Sequence, residues 1–117
     1  MSDFSLFHNP ACSKSRAAIE LLESRGIQAD IIHYLDTPPT TEQLHSVLKK
    51  LGLSARELIR NKESLYQELG LDDDSLNEAD LIAAMVQHPR LIERPILIHN
   101  DRAVIGRPTE KLLELLP

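Results

Sequence analysis

FSLFHNPACSKSRAAIELLESRGIQADIIHY, residues 4–34, is the stretch that decides the fold. Phe4 to Phe7 is a short apolar run that gives way to His8-Asn9-Pro10, the pattern of a strand entering a loop. From Ser13 onward, Ala17, Ala18, Leu21 and Leu22 recur at helical spacing, and Gly26 stands where a terminating glycine belongs. Ala29 to Tyr34 predicts a second strand with Ile31 and Ile32 as its core. Strand, helix and strand at this spacing make a βαβ unit, and hence a parallel pair.

Thr37-Pro38-Pro39 closes that unit, and the character of the chain changes. Thr40-Thr41-Glu42-Gln43 is a capping box that opens a helix bearing Leu44, Val47, Leu48 and Leu51 on one face, stopped by Gly52. Ser54-Ala55-Arg56-Glu57 is a second capping box, and Arg60 closes the short helix it starts. A helix around Ser64 to Leu69 ends at Gly70, and Asn77 caps another from Glu78 to about His88, closed by Pro89. Strands return with Pro95 to His99, a turn at Asn100-Asp101, and Ala103 to Ile105, the signature of a hairpin. Pro108 at a first helical position predicts a final helix carrying Leu112, Leu113, Leu115 and Leu116. The order βαβ, helical insert at about 40–90, ββα predicts an α/β fold. It fits a thioredoxin-like three-layer sandwich with a mixed sheet, one domain over residues 1–117.

Composition narrows the function. Thirteen Lys and Arg against 18 Asp and Glu give a net charge of −5, and 42% of residues are hydrophobic, ordinary for a globular chain. Four aromatics (Phe4, Phe7, Tyr34, Tyr66) and an acidic balance argue against a nucleic-acid platform or a polybasic membrane binder. No apolar run approaches the ~18 residues of a bilayer span, and Met1-Ser2-Asp3 does not open a signal peptide. A cytoplasmic location is the expectation.

The sequence holds one cysteine, Cys12. A lone thiol forms no internal disulfide and no zinc site by itself, and the five histidines show no ligand spacing, so no metal is expected. If Cys12 does redox chemistry, its resolving thiol comes from another molecule. Cys12 precedes a predicted helix, where free N–H groups and the helix dipole favour a thiolate, with His8, Lys14 and Arg16 nearby. A buried hydrophobe is the bland alternative for a free cysteine, but Ser13, Lys14 and Ser15 make a polar setting. The same helix start suits an oxyanion, and arginine forks match its oxygens. Among eight arginines, Arg94 precedes Pro95 and Arg107 precedes Pro108, both where strand meets loop. Arg94-Pro95 occupies the slot of the cis-proline that faces the cysteine loop in thioredoxin-like folds.

Residues 7–16, Phe-His-Asn-Pro-Ala-Cys-Ser-Lys-Ser-Arg, resemble the active-site loop of the glutaredoxin-linked arsenate reductase (ArsC) family. Glu93 to Ile98, continuing through Ala103 to Pro108, resembles that family's C-terminal signature. The resemblance implies that Cys12 is the nucleophile that attacks arsenic, and that Arg60, Arg94 and Arg107 bind the oxyanions. It implies supporting roles for His8, Asn9, Ser15 and Pro95, with His8 and Ser15 tuning the thiolate. The resemblance implies no bound cofactor, glutathione as the external reductant and glutaredoxin as the protein partner; a monomer is the expectation, although the sequence does not settle the oligomeric state.

Other classes fit less well. A phosphatase-like reductase needs Cys-x5-Arg, whereas Arg16 gives Cys-x3-Arg, and a self-contained disulfide oxidoreductase lacks a second thiol at Ser15. The rivals are a Spx-like regulator that binds RNA polymerase, which commonly carries Cys-x-x-Cys, and a glutathione-dependent reductase of another substrate. Asp72-Asp73-Asp74 reads as a solvated turn, and His33, His45, His88 and His99 as surface or packing residues.

Overall fold

The computed structural model describes residues 3–116. They divide into two compact units, one of residues up to Thr37 together with those from Arg94, the other of Pro38–Glu93.

The first unit is a four-stranded mixed sheet of order β2-β1-β3-β4. Its strands are β1 (Phe4–Phe7), β2 (Asp30–Ile32), β3 (Ile96–His99) and β4 (Arg102–Ile105). β1 and β2 run parallel, joined by α1 (Ser13–Ser24), as a βαβ crossover requires. β3 runs antiparallel to both β1 and β4, with Phe7 opposite Ile96 and Ile96 opposite Ile105. Leu6 and Leu97 share one face and pack with Ala18 and Leu22 of α1 and with Leu112 and Leu115. Phe7 points the other way and stacks on Tyr34, since successive side chains alternate along a strand. This α/β, mixed-sheet arrangement is the thioredoxin-like fold expected.

Three expectations need correction here. β2 is shorter than 29–34, and Ile31 is 38% exposed because β2 is an edge strand rather than a core one. Pro108 lies just outside the last helix, which is a 3₁₀ helix over Thr109–Leu115. Three residues per turn put Leu112 and Leu115 on the core side and leave Leu113 40% exposed, so only part of the leucine pattern is core. The hairpin strands begin at Ile96 and Arg102, not at Pro95 and Ala103.

The second unit is helical: α2 (Thr41–Leu51), α3 (Ala55–Leu58), α4 (Ser64–Glu68), α5 (Glu78–Gln87) and a 3₁₀ turn at Pro89–Leu91. The side chains of Thr40, Ser54 and Asn77 each accept from the backbone N–H three residues on, and each completes a capping box. Gly52 and Gly70 adopt the left-handed conformation that ends a helix cheaply only for glycine. α3 stops at Leu58, so Arg60 lies beyond it rather than closing it. Among the described residues no helix is long and apolar enough to cross a membrane.

Candidate active site

The sheet register gathers the site at one end of the first unit. His8 follows β1, and its N–H donates to the Ile32 carbonyl (3.0 Å), extending the parallel ladder. The loop from Asn9 to Cys12 then turns sharply. Asn9 Oδ1 accepts from Ala11 N–H (3.0 Å), and the Asn9 carbonyl accepts from Cys12 N–H (2.9 Å). Ser15, fully buried, accepts from Asn9 N–H through its Oγ (3.3 Å), so α1 pins the start of the loop it follows. Arg16, one residue on, donates to the Pro10 carbonyl (2.8 Å). That tie has no motif to announce it.

Cys12 is the N-cap residue of α1 with extended backbone, and no side-chain hydrogen bond of ordinary length caps the helix there. The thiol is 7% exposed, more buried than its polar sequence neighbours suggest. Burial alone pushes its pKa up. Against that, the N–H groups of Ser15 and Lys14, the Arg94 charge and the Arg107 side chain stabilise the thiolate and bring it down to about 7. The unspent N–H groups of the first helical turn therefore act on sulfur, as they act on any anion at a helix start.

The arginines come from the hairpin. Extending the β3–β4 register beyond Ile96 and Ile105 sets Pro95 opposite Gly106 and Arg94 opposite Arg107. Gly106 N–H donates to the Pro95 carbonyl (2.9 Å), and Arg107 Nε donates to the Arg94 carbonyl (2.8 Å). Arg107 then directs Nη2 to Cys12 Sγ at 3.8 Å. Arg94–Pro95 is cis, as expected from the fold; Arg107–Pro108 is cis as well. A side chain at Gly106 would be tight, because a Cβ there would stand 3.0 Å from Leu112 Cδ2 and 3.1 Å from Pro95 Cγ, and those side chains would have to give by a few tenths of an ångström.

A sequence model of the ArsC family matches residues 7–115. The chain belongs to the ArsC family. It is 50% identical to a protein called arsenate reductase from Neisseria meningitidis, over 99% of this chain and 100% of that one. It is 51% identical to an uncharacterised protein of Escherichia coli, over 95% and 94% of the two chains. A solved structure described as arsenate reductase from Vibrio cholerae superposes with a TM-score of 0.95 at 48% identity, covering 97% of each chain.

Within this ArsC chain, Cys12, Asn9, Ser15, Arg94, Pro95 and Arg107 come together at the end of the sheet. His8 is 6% exposed, and its Nδ1 finds no hydrogen-bond partner among the described residues. Burial, the neighbouring His33 and the Arg16 charge lower its pKa, so it is held neutral at pH 7. Its ring meets His33 edge-on with centroids 5.9 Å apart, a pairing that follows from the β1–β2 register and that separate reading of the two histidines misses. Arg60 belongs to the helical unit, where Glu63 and Glu93 face its guanidinium. Among the described residues no group of three or more His, Cys, Asp or Glu side chains forms a metal cluster.

Proposed function

We propose that this chain reduces arsenate to arsenite through Cys12. The observation that carries the reading is a single buried thiol brought to about 7 by a helix start and two arginines. That environment favours both a nucleophilic thiolate and a tetrahedral oxyanion. Relatives called arsenate reductase, at about half identity over nearly the full chain, support arsenate as the substrate.

In the proposed reaction, Arg94 and Arg107 bind the arsenate oxygens while the Cys12 thiolate attacks arsenic. An oxygen leaves as water, taking protons from solvent, and a sulfur–arsenic bond forms with arsenic still pentavalent. Glutathione thiolate attacks the Cys12 sulfur. The sulfur–arsenic bond breaks with its electron pair on arsenic, which departs as arsenite, and a mixed disulfide remains. Glutaredoxin reduces that disulfide and returns the Cys12 thiolate. The single cysteine of the sequence fits an external resolving thiol. His8, Asn9, Ser15 and Pro95 keep the loop and the thiolate in place.

The test couples NADPH oxidation through glutathione reductase, with glutathione, glutaredoxin and arsenate, and compares the chain with Cys12→Ser. Turnover that needs arsenate, glutaredoxin and Cys12 is the expected result. Turnover equal in Cys12→Ser removes the nucleophile assignment. A reactive thiol without arsenate turnover removes the substrate.

A further inference from the structure

We propose that Arg16 is a positioning residue for Cys12: together with Asn9 it clamps the Pro10–Ala11 peptide, and so fixes the backbone that delivers the sulfur to the start of α1. The inference rests on Cys12 as the nucleophile of the proposed function, though not on arsenate as its substrate. Every residue involved lies in the sheet unit. The Asn9 carbonyl accepts from Cys12 N–H (2.9 Å), which closes a β-turn with Pro10 and Ala11 as its central residues. Asn9 Oδ1 accepts from Ala11 N–H (3.0 Å), a tie that an Asn at the first position of a turn ordinarily makes. The other end of the same peptide, the Pro10 carbonyl, accepts from Arg16 Nη1 (2.8 Å). Arg16 reaches it from one helical turn beyond Cys12, where its own N–H donates to the Cys12 carbonyl (3.1 Å).

The central peptide is the least constrained part of a β-turn, because type I and type II turns differ mainly by its reversal. Pro10 fixes its own φ but not its ψ, and so leaves that reversal open. Ala11 opposes it, since its φ is not positive and the reversed turn needs a positive value best met by glycine. The Arg16 tie adds a restraint that turn chemistry alone lacks. Reversal would strip the Pro10 carbonyl from Arg16 and Ala11 N–H from Asn9, and would re-aim the chain entering Cys12. The sulfur depends on directional partners: the N–H groups of Ser15 and Lys14 in α1, the Arg94 charge before β3 and the Arg107 side chain after β4. A thiolate displaced from those donors loses stabilisation without any of them being removed. Arg16 and Asn9 hold opposite ends of one planar peptide, so loss of either end frees the whole unit.

The test is the rate of iodoacetamide alkylation of Cys12 against pH in the full chain, for Arg16→Met, Asn9→Ala and the double variant. Each single change should raise the inflection by about 0.3–1 pH unit. The double variant should raise it no further than the larger single shift, because both changes free the same peptide. An inflection unchanged in either single variant overturns the clamp. Shifts that sum in the double variant overturn it too, since Arg16 and Asn9 then act on the thiolate independently. A wild-type inflection at or above 9.0 overturns the activated thiol, and the nucleophile of the proposed function with it. Thermal unfolding identifies any variant that does not fold. Arg16→Gln, two bonds shorter, and Asn9→Leu, which lacks the acceptor, then take the places of the first pair under the same criteria.

Discussion

Replacing Arg107 with Gln separates the two supports of the Cys12 thiolate. A thiol lowered from 9.0 to about 7 has its ionised form favoured by about 2.7 kcal/mol. At pH 7 about half of it is thiolate, against about 1% for the unshifted thiol. Lower basicity makes each thiolate less nucleophilic, with a Brønsted slope of about 0.4–0.5. The net gain at pH 7 is then roughly six-fold in alkylation rate, much smaller than the gain in ionisation. The N–H groups of Ser15 and Lys14 and the Arg94 charge each outweigh the Arg107 contact, which acts on sulfur across 3.8 Å. Arg107→Gln should therefore raise the inflection only part of the way back, leaving it well below 9.0. The assay is iodoacetamide alkylation rate against pH from 5.5 to 10, with intact mass confirming one adduct. A variant inflection at or above 9.0 refutes the helix start as the main support. A wild-type inflection at that value refutes the activated thiol altogether.

Other outcomes follow from the same structure. His8 is a base whose folded-state pKa lies below 6.5, so the unfolded chain binds the extra proton first and stability falls as pH drops below 6.5. His8→Gln should flatten that slope in urea titrations between pH 7 and 5, and an unchanged slope refutes the buried neutral imidazole. Gly106→Ala should cost about 1–3 kcal/mol, because its methyl meets Leu112 and Pro95 at the edge of a filled core. A fall in the urea midpoint reads it, and no change means the hairpin shifts freely. Arg56 donates to the Tyr66 hydroxyl (2.9 Å), the Leu71 carbonyl and the Asp73 carbonyl (3.0 Å). Arg56→Met should destabilise the helical unit by about 1–3 kcal/mol by orphaning the Leu71 carbonyl, with equal stability as the refuting result.

The Asx turn at Asp73, whose carboxylate accepts from Ser75 N–H (2.9 Å) and Oγ (2.8 Å), makes the acidic run a solvated turn, as its lack of further ligands implies. The leucines at the C-terminus misled in the opposite direction. A run with Leu at 112, 113, 115 and 116 is compatible with α and with 3₁₀ periodicity, and only packing against Leu6 and Leu97 chooses between them. Ile31 and Ile32 likewise read as core, because apolar type does not reveal whether a strand lies at the edge or the centre of a sheet.

What the sequence determined by itself is local in origin. Two capping boxes, the Asn77 cap, the glycine stops and the βαβ spacing are written in residues a few positions apart, and the helix start places Cys12 by the same local rule. Tertiary structure decided which charges meet across long separations. Arg107 reaches a sulfur 95 positions away because hairpin register and the β1–β3 pairing bring their ends together. His8 meets His33 through parallel pairing, and Arg60 meets Glu93 through one β-bridge. A one-residue slip in any of these ladders would separate the partners, and register depends on the packing of whole faces rather than on the residues that use it.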